Sequence, residues 1–363
     1  MNERVTKLRR ASMETRPRIS IERAVLETEF YQAHDGKYSV PVMRALNFRN
    51  LCERQTIYIG EGELIVGERG PEPKAVSTFP ELTCHSVEDL EILNSRSMAN
   101  YAVAAEDIAT YREKVIPYWR GRSMRDKAFA EIPQEWKDLY EAGLFTEFME
   151  QRAPGHTTLD GTIYQKGMRD LKKEIAEAQE KLDYLTDPEA VAKNEQLKAM
   201  AISCDAIMRF AERHAERAED LASRERDPQR RAELERIAEV CRHVPAHAPR
   251  NFWEALQAYW FVHLGTIMEL NGWDAMNPGH LDQHLEPFYL RETAAGTLDR
   301  EGAKELLECF WIKFNNQTAP PKVGVTAQES GTYNDFTNIN IGGLRRDGSD
   351  GSSEVSYLLL EVL

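Results

Sequence analysis

Cysteine is scarce and scattered in this 363-residue chain. The five residues, Cys52, Cys84, Cys204, Cys241 and Cys309, are odd in number and form no Cys-x-x-Cys pair. That speaks against a disulfide framework and suits a reducing compartment, so a cytoplasmic location is expected. Long apolar runs are lacking too. No stretch approaches the ~18–20 apolar residues that a membrane span needs. Residues 1–20 are charged and hold no apolar core of the kind a signal peptide carries. Positive charge is in deficit: 46 Lys and Arg stand against 60 Asp and Glu, a net charge of −14. Nucleic acid and anionic membranes both need a positive face, so neither is expected as a partner. No internal repeat or low-complexity linker is present. The remaining composition, 42% hydrophobic and 29% charged, is that of a soluble globular chain, long enough for one large domain or two ordinary ones.

What is there is mostly helical pattern. Ser86 with Asp89 three residues on reads as a capping-box variant, opening a helix that runs to about Trp119. Further helices are expected over 135–151 and from Tyr164 to about Leu185. Asp187-Pro188 starts a long amphipathic run to about Arg224, and Asp227-Pro228 starts another over 227–240. Charges three and four apart give these helices a solvated face, which reads as scaffold. From Asn251 the composition changes. Residues 252–270 are apolar nearly all round and 299–316 nearly so, which places 251–316 in a deep interior. Strands are expected to be few: a hairpin over 56–68 around Gly60-Glu61-Gly62, and short buried strands at 322–326 and 336–343. Residues 345–353 read as a turn cluster, because the oxygen spacing of a calcium loop and its terminal glutamate are missing. The last ten residues read as the start of an apolar helix without stop signals, as if the chain were cut in mid-helix.

Several residues could carry chemistry. His280 and His284 stand at i and i+4, a spacing that serves zinc, but Leu281 occupies the place of the usual glutamate base and no third ligand is obvious. The plainer reading is a polar helix face. Asp274, in NGWDAMNPG, follows the apolar helix, so it is either a carboxylate with a perturbed pKa or a simple turn aspartate. Ser330 and Asp335 lie between two strand-like segments, where either chemistry or turn formation would account for them. In EFMEQRAPGHT, Pro154 and Gly155 stop a helix and turn the chain sharply at His156. The imidazole is either presented to a ligand or structural.

Several long stretches of the chain carry a resemblance: ISIERAVLETEFY (19–31), GELIVGERG (62–70), YEAGLFTEFMEQRAPGHT (140–157), YWFVHLGT (259–266), ELLECFWIKFNNQTAPPKVGVT (305–326) and TNINIGG (337–343). Together they resemble the N-terminal part of the glycyl radical enzymes, the pyruvate formate-lyase-like family. The resemblance implies an α/β fold, the helix-rich N-terminal portion of a ten-stranded barrel, truncated before the second half-barrel. Residues 1–250 would be mainly outer helices and 251–363 the first core elements of one domain. It implies a dehydratase acting by thiyl-initiated radical chemistry on trans-4-hydroxy-L-proline. Glycerol or a diol, a sulfonate, choline or an arylacetate is the alternative substrate. It implies His156 and Asp274 as catalytic residues and Phe148, Ser330 and Phe336 as substrate-binding residues, with no metal.

The family's cofactor is a protein glycyl radical installed by a partner, a radical-SAM iron-sulfur activase. The other partners implied are a small-molecule substrate and a second copy of the chain. The Gly-Cys-Val-Glu segment of the catalytic cysteine and the glycine-radical segment of the family are not found in these 363 residues. The expectation is therefore that this chain binds no cofactor and is inactive alone. Half a barrel would also leave strand edges and apolar faces uncovered and prone to aggregate. A non-catalytic helical binding protein and a zinc hydrolase are the competing readings.

Overall fold

The computed structural model describes residues 2–144, 159–270, 276–329, 331 and 337–363. Helices dominate them. In chain order they are α1 (Glu3–Glu14), α2 (Glu22–His34), α3 (Val40–Arg54), α4 (Val87–Ser95), α5 (Ala105–Thr110), α6 (Ile116–Trp119), α7 (Met124–Glu131), α8 (Gln134–Glu141), α9 (Met168–Glu180), α10 (Ala190–Arg224), α11 (Pro228–His243), α12 (Phe252–Leu270), α13 (Leu281–Ala295), α14 (Arg300–Asn316), α15 (Gly324–Glu329) and α16 (Glu354–Glu361). The only strands longer than one bridge among the described residues are β1 (Arg18–Ser20) and β2 (Ala75–Ser77). They are parallel, with Ile19 opposite Val76.

Side-chain caps explain where several helices begin. Asp227 accepts from Gln229 N and Asp299 from Gly302 N, each meeting one of the amides a helix start leaves free. Ser86 and Asp89 form the full reciprocal box of α4. That helix stops at Ser95, however. Residues 96–104 are irregular, Arg96 is extended, and the chain reaches Trp119 only through α5, a π-turn at Tyr111–Val115 and α6. The single helix expected from 86 to 119 is therefore broken. Tyr101 and Val103 turn inward beside Leu90 and Leu93, which a continuous helix would not allow. The 164–185 helix is likewise shorter, because Asp160–Tyr164 forms a 3-10 turn and α9 begins at Met168.

Two further expectations fail for a shared reason. Residues 56–68 form no hairpin. Gln257 of α12 accepts from Val66 N and donates to Val66 O, both at 2.9 Å, while Trp253 and Trp260 donate to the carbonyls of Leu64 and Gly67. Side chains of α12 thus satisfy the backbone that a partner strand would have satisfied. Residues 322–326 form no strand either. Gly324 has φ +59 and the chain turns there into α15. Within 337–343 the pairing is a single bridge, His280 with Asn340.

The main core gathers around α12. Phe252, Trp260, Phe261, Leu264 and Ile267 are fully buried there against α3, α10, α11 and α14. Each such side chain contributes about 1.5–3 kcal/mol by leaving water. A second cluster joins β1, β2 and α2 to the segment 90–119. The helices read as scaffold do pack as scaffold: α10 lies along α3, α9 and α11. Turn 345–353 closes through an Arg345 N to Ser349 O bond.

Candidate functional site

The five residues that the resemblance singles out, Phe148, His156, Asp274, Ser330 and Phe336, all lie outside the described residues, as does Asp335. The described residues beside them show how the stretches that carry them are anchored. The stretch after Leu144 leaves α8, which stops at a left-handed Gly143 with φ +71. Leu159 and Asp160, both in the left-handed region, lead into the 3-10 turn. Asp160 Oδ1 lies 3.4 Å from His284 Nε2, and the Tyr164 ring stacks on His284 at 5.0 Å. Burial holds His284 below the usual imidazole range, with Asp160 pulling the other way.

The stretch after Leu270 leaves the end of α12. Arg23 Nε donates to Met268 O at 2.8 Å there, taking up a carbonyl that the helix leaves free. Glu269 pairs with Arg44; burial holds this carboxyl above the ordinary range, against the pull of that guanidinium. On the far side, Asn338 N donates to Asn277 Oδ1 at 2.7 Å and Asn340 N to Gly279 O at 3.1 Å. Gly342 N donates to Asp282 Oδ2 at 2.6 Å, and Asp282 also accepts from Ser356. Asn277 and Asn338 lie three residues after Asp274 and two after Phe336 respectively, so the exits of these two stretches are bonded to each other.

His280 and His284 do not act together. His280 stands at the residue before α13, beside Gly343 and without a side-chain cap bond, whereas His284 faces Asp160 and Tyr164. Among the described residues no three His, Cys, Asp or Glu side chains are grouped to hold a metal ion. None of their helices is long and apolar enough to cross a membrane.

Two features were missed in the sequence. One is the buried charge cluster of Lys313 with Glu63 and Glu68, which Asn316 and Gln317 complete by donating to Glu68 at 3.1 and 2.8 Å. Burial works against the Lys313 ammonium, but the two carboxylates outweigh it and its pKa is raised. The signal was a lysine inside the apolar run CFWIKFNN. The other is Tyr140, whose hydroxyl accepts from Val325 N at 3.2 Å. The cysteines offer no activated thiol. Burial pushes Cys84 and Cys309 up to about 12 and Cys204 to about 11, and raises Cys52 and Cys241 as well.

Residues 1–363 match the profile of the family described as pyruvate formate lyase-like. The chain belongs to this family of glycyl radical enzymes. It is 52% identical over 361 residues to the trans-4-hydroxy-L-proline dehydratase of Clostridioides difficile, covering 99% of this chain and 46% of that protein. It is 31% identical over 373 residues to the isethionate sulfite-lyase of Nitratidesulfovibrio vulgaris, covering 99% and 45%. The crystal structure of the Clostridioides difficile hydroxyproline dehydratase with trans-4-hydroxy-L-proline bound superposes with a TM-score of 0.95, covering all of this chain and 46% of that one. The glycerol-bound B12-independent glycerol dehydratase from Clostridium butyricum gives 0.89 at 27% identity, again with 45% of its chain covered. The chain thus spans less than half the length of the relatives it matches. Its helix-rich architecture is that of the pyruvate formate lyase-like fold.

Proposed function

We propose that this chain forms the substrate-pocket portion of a glycyl radical dehydratase that removes water from trans-4-hydroxy-L-proline to give a pyrroline-5-carboxylate. The observation that carries this reading is the similarity to the hydroxyproline dehydratase, 52% over 99% of the chain, against 31% for the sulfite-lyase relative. Residues 1–250 supply mainly outer helices and 251–363 the first core elements of a single domain.

In this reading Phe148 and Phe336 pack against the pyrrolidine ring and keep water from it. His156 and Asp274 hold the polar groups of the ring, and one of them passes a proton to the leaving hydroxyl, so that it departs as water rather than hydroxide. Ser330 hydrogen-bonds the substrate carboxylate. The family chemistry supplies hydrogen abstraction by a thiyl that a glycyl radical generates. The cysteines here do not fit that role: four are on core-facing sides of helices, and Cys84 Sγ lies 3.8 Å from His85 O. We therefore place the thiyl and the glycyl radical outside these residues and propose that the chain is inactive alone. A radical-SAM activase installs the radical, the working enzyme is a cytoplasmic homodimer, and the alternative substrates are those of the sulfonate and diol enzymes of the family.

The test is substrate consumption by the chain joined to the remaining length typical of its relatives and activated without oxygen. The reading expects trans-4-hydroxy-L-proline to be consumed in preference to isethionate and glycerol. Preferred consumption of either of the others overturns it.

A further inference from the structure

Helix α15 has six residues, Gly324–Glu329, and ends one position before Ser330. A helix this short has almost no stability of its own, because nucleation consumes what its few internal bonds contribute. Its place must be set from outside, and three distant side chains do this. Gly324 N donates to Asp89 Oδ1 at 2.8 Å, Val325 N donates to Tyr140 Oη at 3.2 Å, and Arg96 Nη1 donates to Ala327 O at 2.6 Å. Two of the four amides that a helix start leaves free are thus met by α4 and α8. Asp89 is itself locked, because its other oxygen holds the capping box of α4.

Tyr140 is the member of this set that reaches a second pocket stretch. It sits on the last turn of α8, from which the chain continues to Phe148 and His156. It is buried, its ring meets Phe129 edge-on at 5.0 Å, and its hydroxyl also accepts from Arg125 Nη2 at 3.1 Å. The fit to α15 is close. A Cβ on Gly324 would stand 2.3 Å from Tyr140 Oη, and φ +59 disfavours any side chain there. Tyr140 opens the family-like stretch 140–157, and Gly324 lies in another, 305–326.

We infer that Tyr140 is a positioning residue: it fixes α15, from whose end the chain continues to Ser330, to the same base from which the chain continues to Phe148 and His156. The inference rests on the dehydratase reading for its consequence but not for its geometry. Through this one hydroxyl, two separate parts of the substrate pocket share a support.

The test has two arms. In the completed enzyme, Tyr140→Phe removes the hydroxyl and keeps the ring. Amide exchange over 324–329 should then speed up about threefold to tenfold, as loss of one hydrogen bond implies, with α10 unchanged. Gly324→Ala should speed it further, and adding Tyr140→Phe should partly rescue that variant by removing the oxygen its Cβ meets. Unchanged exchange in Tyr140→Phe, or no rescue, overturns the anchoring. In the completed, activated enzyme, Tyr140→Phe should raise KM for trans-4-hydroxy-L-proline several-fold with kcat within about twofold. Faster exchange with an unmoved KM overturns the positioning role. A wild-type enzyme that does not consume hydroxyproline overturns the dehydratase reading and that role with it, and leaves the exchange result standing.

Discussion

Lys313 Nζ lies 2.9 Å from Glu68 Oε1, and neither side chain is more than 2% exposed. Glu63 completes the group on the other side of the ammonium. This ion group ties the 56–70 segment to α14, and it predicts an asymmetry. Lys313→Met leaves two carboxylates buried without a counter-charge and should destabilise by about 3–5 kcal/mol. Adding Glu63→Gln and Glu68→Gln should restore part of that. Urea midpoints at constant slope measure both effects. A neutral Lys313→Met would show that water reaches the group.

Acid sensitivity should follow from two core histidines. His214 donates from Nδ1 to Phe210 O, and His263 stacks on Trp260 with Nδ1 3.0 Å from Tyr259 Oη. Burial is the main cause that pushes each down to about 3. The folded pKa is below the unfolded one, so the stability from keeping them neutral is fully present above about pH 6.5. It is lost as pH falls from there toward about 3, by ~1.4 kcal/mol per pH unit for each histidine. In the double variant His214→Gln/His263→Phe, the decline in unfolding free energy from pH 6.5 to 4.5 should be flatter by up to ~2.7 kcal/mol per pH unit. An unchanged slope would mean that other groups carry the dependence.

Gln257 replaces a partner strand for Val66. Gln257→Leu fills the space yet leaves Val66 N and O without their bonds. It should destabilise by about 1–3 kcal/mol and speed amide exchange at Val66 before that of α10. Uniform acceleration across the chain would point to a global effect instead.

His156→Ala in the completed, activated enzyme should lower kcat/KM for trans-4-hydroxy-L-proline by about tenfold where His156 only holds the ring and by about 100-fold or more where it is the proton donor. Wild-type turnover would remove His156 from the site.

The sequence and the structure agree where a local signal governs. Asp227 and the Ser86–Asp89 pair mark helix starts because a cap needs only its own neighbours. The apolar run 252–270 is buried because no face of it is polar. Disagreement comes where distant side chains govern. Residues 56–68 have strand composition, but α12 supplies their hydrogen bonds from nearly two hundred positions away. Residues 322–326 have strand composition too, yet Asp89 and Tyr140 cap a helix there. β1 and β2 are three residues each, too short to stand out from their surroundings. The proposed pocket residues rest only on long family-like stretches, because a single histidine after Pro-Gly or a single aspartate after Trp has no local signature.

The most direct measurement is a competition assay: trans-4-hydroxy-L-proline, isethionate and glycerol offered together to the completed, activated enzyme. Hydroxyproline should disappear first, and a pyrroline carboxylate should accumulate in equal amount. Preferential loss of isethionate or glycerol, with hydroxyproline untouched, would contradict it.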